Sequence, residues 1–138
     1  MLLPADAPDA SLTSDGRFPV AALNGVPLIG EPGGNMQQQR IEARLRAAGV
    51  TPRYAFRSTD NGTLQGMVRA GLGPMVIGRL AADTSDPGVR AFDLEPPLPP
   101  RTILLASRKG ATLSPATERF IAVAQRECRR QLAQPDDR

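Results

Sequence analysis

The stretch VPLIGEPGGNMQQQRIEARLRAAG, residues 26–49, decides the fold class of this chain. It opens with a short apolar run at 26–30, which is typical of a buried strand. A turn follows at 31–35. A helix is predicted over 36–48, because apolar residues recur there at helical spacing before Gly49, a favoured residue just past a helix end. A strand, a turn and an amphipathic helix in this order form the repeating unit of α/β domains.

The same alternation continues after this unit. The pattern predicts a strand at 53–57, a helix at 62–70, a strand at 74–77, one helical turn at 79–82 and a strand at 89–94. After a stiff proline-rich connector, it predicts a strand at 102–107 and a helix that begins at Ser114-Pro115. This order predicts an α/β fold with a largely parallel sheet, and such sheets bind ligands at the carboxyl ends of their strands.

The composition narrows the possible functions. The chain has no histidine and a single cysteine, Cys128, which excludes an intrachain disulfide, a Cys/His zinc site and His-dependent catalytic triads or dyads. No pair of carboxylates has a useful spacing either, so we expect no enzyme, no catalytic or metal-binding residues and no cofactor. Cys128 is expected to be a small apolar packing residue of the last helix.

The net charge of +3 is mild for 138 residues, and the arginines are spread along the sequence. The last helix carries three of them in one stripe, at Arg119, Arg126 and Arg130, which predicts a solvated face, with nucleic-acid binding as the alternative. No apolar run approaches the ~20 residues of a membrane span, and the first residues do not have the features of a signal peptide. We therefore expect a cytoplasmic protein with no membrane partner.

Two loops and one arginine are the candidate ligand-binding residues. The first loop follows the strand at 26–30 and consists of Glu31, Pro32, Gly33, Gly34 and Asn35. Glycines let a backbone approach a ligand closely, and the N–H groups at a helix start favour an anion. Glu31 would repel an anion or accept a hydrogen bond from a ligand. An ordinary turn between a strand and a helix remains the alternative.

The second loop lies before the predicted helix at 62–70. Asp60 is expected to cap that helix, and Thr59 is a candidate to face the ligand. Arg79 follows the next predicted strand, where its guanidinium suits a bidentate pair with a carboxylate ligand. A plain surface arginine is the alternative for Arg79.

Three segments together resemble a known family: VAALNGVPLIGEPGG (20–34), RLRAAGVTPRYAFRSTDNGTLQGMVRAGLGPMVIGRLA (44–81) and TILLASRKGATLSPATERFIAVA (102–124). In order and spacing they are similar to the effector-binding domain of LysR-type transcriptional regulators. Residues that fit the family pattern are Leu23, Gly25, Pro27, Leu28, Ile29, Ala48, Gly49, Pro52, Asp60, Leu64, Val68, Ala70, Gly71, Leu72 and Gly73. One departure is Ile77-Gly78, where the family usually has a proline second.

The resemblance implies a fold like that of type 2 periplasmic binding proteins, with two lobes and an effector in the cleft between them. It implies one complete lobe, a parallel-rich sheet with flanking helices, plus a remnant strand and helix of the other lobe. Residues 1–16 would be a crossover remnant and a flexible arm, and 17–98 the second effector-binding subdomain. Residues 99–134 would be the return strand and C-terminal helix of the first subdomain, and 135–138 a disordered tail.

The implied partners are a small, anionic effector and further copies of the chain. DNA would be contacted only through a helix-turn-helix domain that this chain does not contain, so the domain is expected to be truncated on its N-terminal side. Two alternatives stay open besides an enzyme. One is a solute-binding protein of the same fold. The other is a fragment without independent ligand binding, because a remnant strand and helix would leave Ile103, Leu105 and Phe120 uncovered.

Overall fold

The computed structural model describes residues 1–7, 13–110 and 112–133. Part of the predicted crossover remnant and arm at 1–16 and the whole predicted tail at 135–138 lie outside the described residues. By its internal contacts the chain divides into two compact units, Met1–Arg101 and Thr102–Arg138, which are described separately.

The first unit alternates strands with helices, as the sequence predicts. Its strands are β1 (Leu2–Pro4), β2 (Phe18–Pro19), β3 (Pro27–Gly30), β4 (Arg53–Arg57), β5 (Val89–Ala91) and β6 (Leu94–Glu95). Its α-helices are α1 (Met36–Ala47) and α2 (Asn61–Arg69), and short 3-10 helices span Val20–Leu23 and Arg79–Ala81. The predicted helices and the strands at 26–30 and 53–57 are thus confirmed to within a residue or two.

The sheet is built around a parallel pair. β3 runs parallel to β4, with Pro27 opposite Arg53 and Gly30 opposite Arg57. β1 runs antiparallel to β5. Met75 makes single bridges to Leu2 of β1 and to Ile29 of β3, so the strand order is β5, β1, Met75, β3, β4. β2 and β6 form a separate parallel pair.

The two helices cover opposite faces of this sheet. One core cluster, on the α1 side, holds Phe18, Val20, Leu23, Leu28, Ile41, Leu45, Val50 and Leu94. The other, on the α2 side, holds Leu2, Ile29, Leu64, Val68, Met75 and Val89. Leu28 and Ile29 are neighbours on β3, and successive side chains of a strand point to opposite faces. The apolar pair at the centre of β3 therefore anchors one helix on each side, which is the layer order of an α/β lobe.

Local signals in the sequence place both helices. The Asn35 side chain caps α1 by accepting from the N–H groups of Gln37 and Gln38, and the Asp60 side chain caps α2 by accepting from the N–H of Thr63. The prediction that Asp60 is a cap is confirmed. Past α2, Gly73 has φ 145°, and a Cβ there would lie 2.5 Å from the carbonyl oxygen of Pro27. Only glycine fits this approach to β3.

Two predicted strands of the first unit differ in the structure. The predicted strand at 74–77 is reduced to the bridges of Met75, because the preceding Pro74 has no N–H to add to a ladder. The predicted strand at 89–94 is two strands, β5 and β6, which pair with β1 and β2 respectively. A change of pairing partner between adjacent strands leaves no signal in hydrophobic periodicity.

The second unit contains α3 (Pro115–Ala133), which begins at the predicted Ser114-Pro115 cap. The Ser114 hydroxyl accepts a hydrogen bond from the Thr117 N–H at 3.2 Å. The predicted strand at 102–107 is wrong for the described structure. Ile103, Leu104 and Leu105 are 63%, 78% and 52% exposed and belong to no strand. A strand needs a partner backbone, and the apolar pattern cannot supply one.

Side chains of α3 are mostly exposed within this unit. Arg119, Arg126 and Arg130 are exposed, as the solvated-face prediction requires, and Glu127 forms ion pairs with the latter two at 3.5 and 3.1 Å. Cys128 is also exposed, so the expectation that it packs in a core is wrong for the described residues. None of the described helices is long and apolar enough to cross a bilayer.

Candidate functional site

The two predicted ligand loops meet at one edge of the sheet. β3 and β4 are parallel neighbours, so their carboxyl ends lie side by side, followed by residues 31–35 and 58–60. The Ser58 N–H donates to the Gly30 carbonyl oxygen at 3.2 Å, which ties the start of one loop to the end of the other strand. The chain after Met75 runs parallel to β3 and leads to Arg79 at the same edge.

The first loop is a tight turn that feeds directly into α1. The Asn35 N–H donates to the Pro32 carbonyl at 2.9 Å. The Asn35 side-chain oxygen accepts from the N–H groups of Gln37 and Gln38 at 2.7 and 3.3 Å. Glu31 and Pro32 are half-buried, while the rest of the loop is exposed. The capping role of Asn35 consumes two of the N–H groups that a helix start would otherwise present to an anion.

A partly buried polar cluster adjoins this loop, formed by Gln38, Glu42, Tyr54 and the more exposed Arg57. Gln38 is only 2% exposed, and its side-chain oxygen accepts from the Glu31 N–H at 3.0 Å. Its side-chain nitrogen donates to Glu42 Oε1 at 3.2 Å. Arg57 also donates to Glu42 Oε1 at 3.2 Å and to the Glu31 carbonyl oxygen. The conformation of Glu31 is thus fixed by α1 and β4 together.

Aromatic packing and a glycine complete the cluster. The Arg57 guanidinium lies 4.2 Å from the centre of the Tyr54 ring, a favourable cation–π geometry. A Cβ on Gly30 would lie 2.6 Å from Tyr54 Cε1 and 2.9 Å from Gln38 Oε1. Glycine is therefore required where β3 enters the loop, because any side chain there would displace the cluster.

The cluster also sets the ionisation of its members. Burial opposes the ionisation of Glu42, but hydrogen bonds from Gln38, Arg57 and Arg46 outweigh it and hold the Glu42 pKa below its ordinary value. Burial raises the pKa of Tyr54. The cluster is therefore an ionised carboxylate held between guanidinium groups, with Tyr54 neutral at physiological pH.

The sequence analysis did not single out this cluster, although one signal for it was present. Gln38, Ile41 and Leu45 share one face of α1, and a polar residue on an otherwise apolar face predicts a buried hydrogen-bonding role. The partners of Gln38, on β4 and in the loop, become evident only when the strands pair.

The second loop is simpler. Asp60 Oδ1 accepts from both the N–H and the hydroxyl of Thr63, at 2.7 and 2.8 Å. The backbone hydrogen bond from Thr63 is the main reason that the Asp60 pKa lies below its ordinary value. Thr59 is exposed beside it. Arg79 forms an ion pair with Asp93 at 3.6 Å, and both side chains are more than half exposed.

A surface hollow of about 170 Å³ lies elsewhere in the first unit, against α2. Its walls include Asn61, Gln65, Arg69, Asp83 and Asp86. Gln65 is 6% exposed and exchanges two hydrogen bonds with the backbone of Asp83, at 2.6 and 3.1 Å. These bonds hold the chain after the second 3-10 helix. No three potential ligating side chains of the described residues cluster closely enough for a metal ion.

The layered lobe, in which two loops follow the carboxyl ends of parallel strands, has the α/β fold of a lobe of the type 2 periplasmic-binding-protein class. The family model of the LysR substrate-binding domain matches residues 2–129. The chain therefore belongs to the LysR substrate-binding domain family, which is a family of transcriptional-regulator domains.

The fold is also similar to a solved structure, that of HinK, a LysR family transcriptional regulator from Pseudomonas aeruginosa. The TM-score is 0.72 at 22% sequence identity. The match covers 91% of this chain but only 43% of the HinK chain. The similarity supports the fold, and the chain spans less than half the length of that regulator.

Proposed function

We propose that this chain is the effector-binding part of a LysR-type transcriptional regulator and binds a small anionic metabolite without catalysis. The proposed ligand-binding residues are Glu31, Pro32, Gly33, Gly34, Asn35, Thr59, Asp60 and Arg79. Residues 17–98 act as the second effector-binding subdomain, and 99–134 as the return strand and helix of the first. The regulator works in the cytoplasm as a homo-oligomer and reaches DNA through a separate helix-turn-helix domain.

The main support for this proposal is that the loops 31–35 and 58–60 lie side by side at the carboxyl ends of the parallel strands β3 and β4. The chain also belongs to a family of effector-binding domains. The backbone N–H groups of Gly33 and Gly34 donate no hydrogen bond within the described residues, and both glycines are exposed. Such N–H groups before a helix attract negative charge. Arg79, at the same edge, adds a positive charge that is shared with Asp93.

A second candidate is a fragment that keeps the architecture of a sensor without holding its ligand. The exposed Ile103, Leu104 and Phe120 of the second unit favour it, because they are core-type residues without cover in this unit. The loop edge itself is open, and the hollow against α2 contains none of the proposed ligand-binding residues.

Amide NMR titration with small carboxylates separates the two candidates. We expect the Gly33 and Gly34 resonances to shift with weak affinity, about millimolar, because one lobe supplies half of a cleft. The exposed Gly110 of the second unit is an internal reference that should not shift. If no carboxylate moves the loop resonances, the fragment is the better description. A dissociation constant of micromolar or tighter, measured by isothermal titration calorimetry, would contradict the expectation that one lobe alone binds weakly.

A further inference from the structure

The charges of the first unit are segregated. Residues 1–101 contain ten arginines and ten carboxylates, so the unit as a whole is neutral. Residues 36–57, which include α1 and β4, contain five of these arginines and a single carboxylate, Glu42. β4 lies at one edge of the sheet and β5 at the other. The carboxylates that flank β5 along the chain are Asp83, Asp86, Asp93 and Glu95. The first unit therefore has a basic edge and an acidic edge.

One side of α1 carries arginines without a counter-charge. The Arg44 guanidinium donates to the Pro100 carbonyl oxygen at 3.0 Å, which brings the neighbouring Arg101 to this side of the helix. Arg40 lies four residues before Arg44 and therefore on the same side. Arg40 and Arg101 are exposed, and neither forms an ion pair within the described residues. Their charges are open to an external anion.

The other side of α1, next to β4, also has an excess of positive charge. Arg46 and Arg57 both bind the Glu42 carboxylate, at 3.0 and 3.2 Å, so two guanidinium groups share one counter-charge. The Glu42 side chain is 13% exposed, against 59% for that of Arg46, and solvent therefore meets mainly the cation. Helical spacing places Ala43 and Ala47 between the two sides, and both are exposed. These short side chains leave room for a partner to reach the arginines.

The α1 basic surface consists of Arg40, Arg44, Arg46, Arg57 and Arg101. We propose that this surface contacts the phosphate backbone of double-stranded DNA. Duplex DNA carries one negative charge per ~1.7 Å of its axis, and a guanidinium can bind a phosphate through two parallel hydrogen bonds. The chain belongs to a family of transcriptional-regulator domains, for which DNA is the polyanion at hand. The contact does not read the base sequence, adds to that of the helix-turn-helix domain and is independent of effector binding at the loops.

Fluorescence anisotropy with a short labelled duplex of arbitrary sequence tests this proposal on the whole chain. We expect a dissociation constant of about 10⁻⁴ to 10⁻⁶ M at about 50 mM salt, which is the range of non-specific DNA binding. The affinity should fall steeply as the salt concentration rises, because bound phosphates release counterions. A dissociation constant weaker than about millimolar at this salt concentration would overturn the proposal.

Two double variants with the same change of net charge locate the contact. Arg40→Gln with Arg101→Gln should lower the affinity at about 50 mM salt roughly tenfold and reduce the slope of log K against log salt by about 2. Arg119→Gln with Arg129→Gln removes two exposed arginines of α3 and should bind DNA like the wild type. Equal losses in the two variants would show that only net charge matters, and a larger loss in the α3 variant would assign the contact to α3. Either result overturns the proposal.

A change of opposite sign tests the side next to β4. Glu42→Gln removes the charge that Arg46 and Arg57 share, and we expect the affinity for the duplex to rise severalfold. Glu118→Gln, in the first turn of α3, removes the same charge elsewhere and should leave the affinity nearly unchanged. Equal gains in the two variants would contradict a contact at this side.

Anionic membranes and acidic proteins are the competing partners for a basic surface. In α1, all of whose residues are described, Met36 is the one large apolar side chain that is exposed, which is too little to anchor the helix in a membrane. Phosphatidylglycerol vesicles and polyglutamate are therefore titrated at the same charge concentration as the duplex. We expect both to bind more weakly than DNA. If either binds more tightly and is released by Arg40→Gln with Arg101→Gln, the assignment to DNA is wrong.

Discussion

Leucines of the two units lie in opposite environments. Leu64 of α2 is fully buried against the sheet, whereas Leu104 of the second unit is 78% exposed. Both lie in segments whose apolar patterns predicted packed elements. The first unit, Met1–Arg101, contains both the helix that carries Leu64 and the strands that cover it. The second unit has no such second layer in its described part. An apolar pattern indicates that a side chain favours burial, but the side chain is buried only where another layer of the fold packs against it.

The largest expected effect comes from matched truncations of these leucines. Leu64→Ala should lower the free energy of unfolding by about 2–5 kcal/mol, because it leaves a cavity in a closed core. Leu104→Ala should change it by less than about 0.5 kcal/mol, as an exposed site does. Urea denaturation of both variants measures the difference. If Leu104→Ala lowers the free energy of unfolding by nearly as much as Leu64→Ala, the contrast between the two units is wrong and Leu104 is buried in solution.

A smaller effect should separate the helix caps of the two units. Asn35→Ala removes an acceptor for two N–H groups of α1 and should cost the first unit about 1 kcal/mol. Ser114→Ala removes the cap of α3, and we expect it to lower helicity in circular dichroism without moving the unfolding midpoint of the first unit. Asn35→Asp keeps the acceptor and is the control. An equal shift of that midpoint by Ser114→Ala would show that the two units unfold together.

The smallest expected effect is the pH dependence of one cap. Hydrogen bonding to Thr63 lowers the Asp60 pKa in the folded chain. The stabilisation that it gives is therefore present above the unfolded value, about 3.9, and is lost as the pH falls through the lower folded value. Asp60→Asn keeps a capping oxygen that does not titrate. We expect the unfolding midpoint of this variant to fall less than that of the wild type between neutral and acidic pH, and identical pH profiles would contradict the assignment.

The parts of the fold that local chemistry determines could be predicted from the sequence. The caps at Asp60 and Ser114 depend on residues within one helical turn, and the β3–loop–α1 unit depends on apolar spacing along one continuous segment. Strand pairing depends on residues far apart in the chain. The division of 89–94 between partners β1 and β2 therefore had no local signal, and neither did the lack of a strand partner for 102–107 among the described residues.

The candidate site shows the same limit. Its loops could be located because ligand loops follow strand ends, and the structure brings the Gly30 and Ser58 ends together. The cluster that holds Glu31 joins Gln38 of α1 to Arg57 of β4, through Glu42. The contact between α1 and β4 at this cluster depends on the parallel pairing of β3 with β4. The spacing of residues along the chain does not predict that pairing.

The position of β1 inside the sheet has a consequence for synthesis on the ribosome. Leu2 is made well before its sheet partners, Met75 and Ala91. Translation adds about 5–20 residues per second, so the side chain of Leu2 waits several seconds for its neighbours to emerge. During that time the nascent chain presents an apolar segment that a chaperone can bind. The sheet closes only after residues 89–91 have left the exit tunnel.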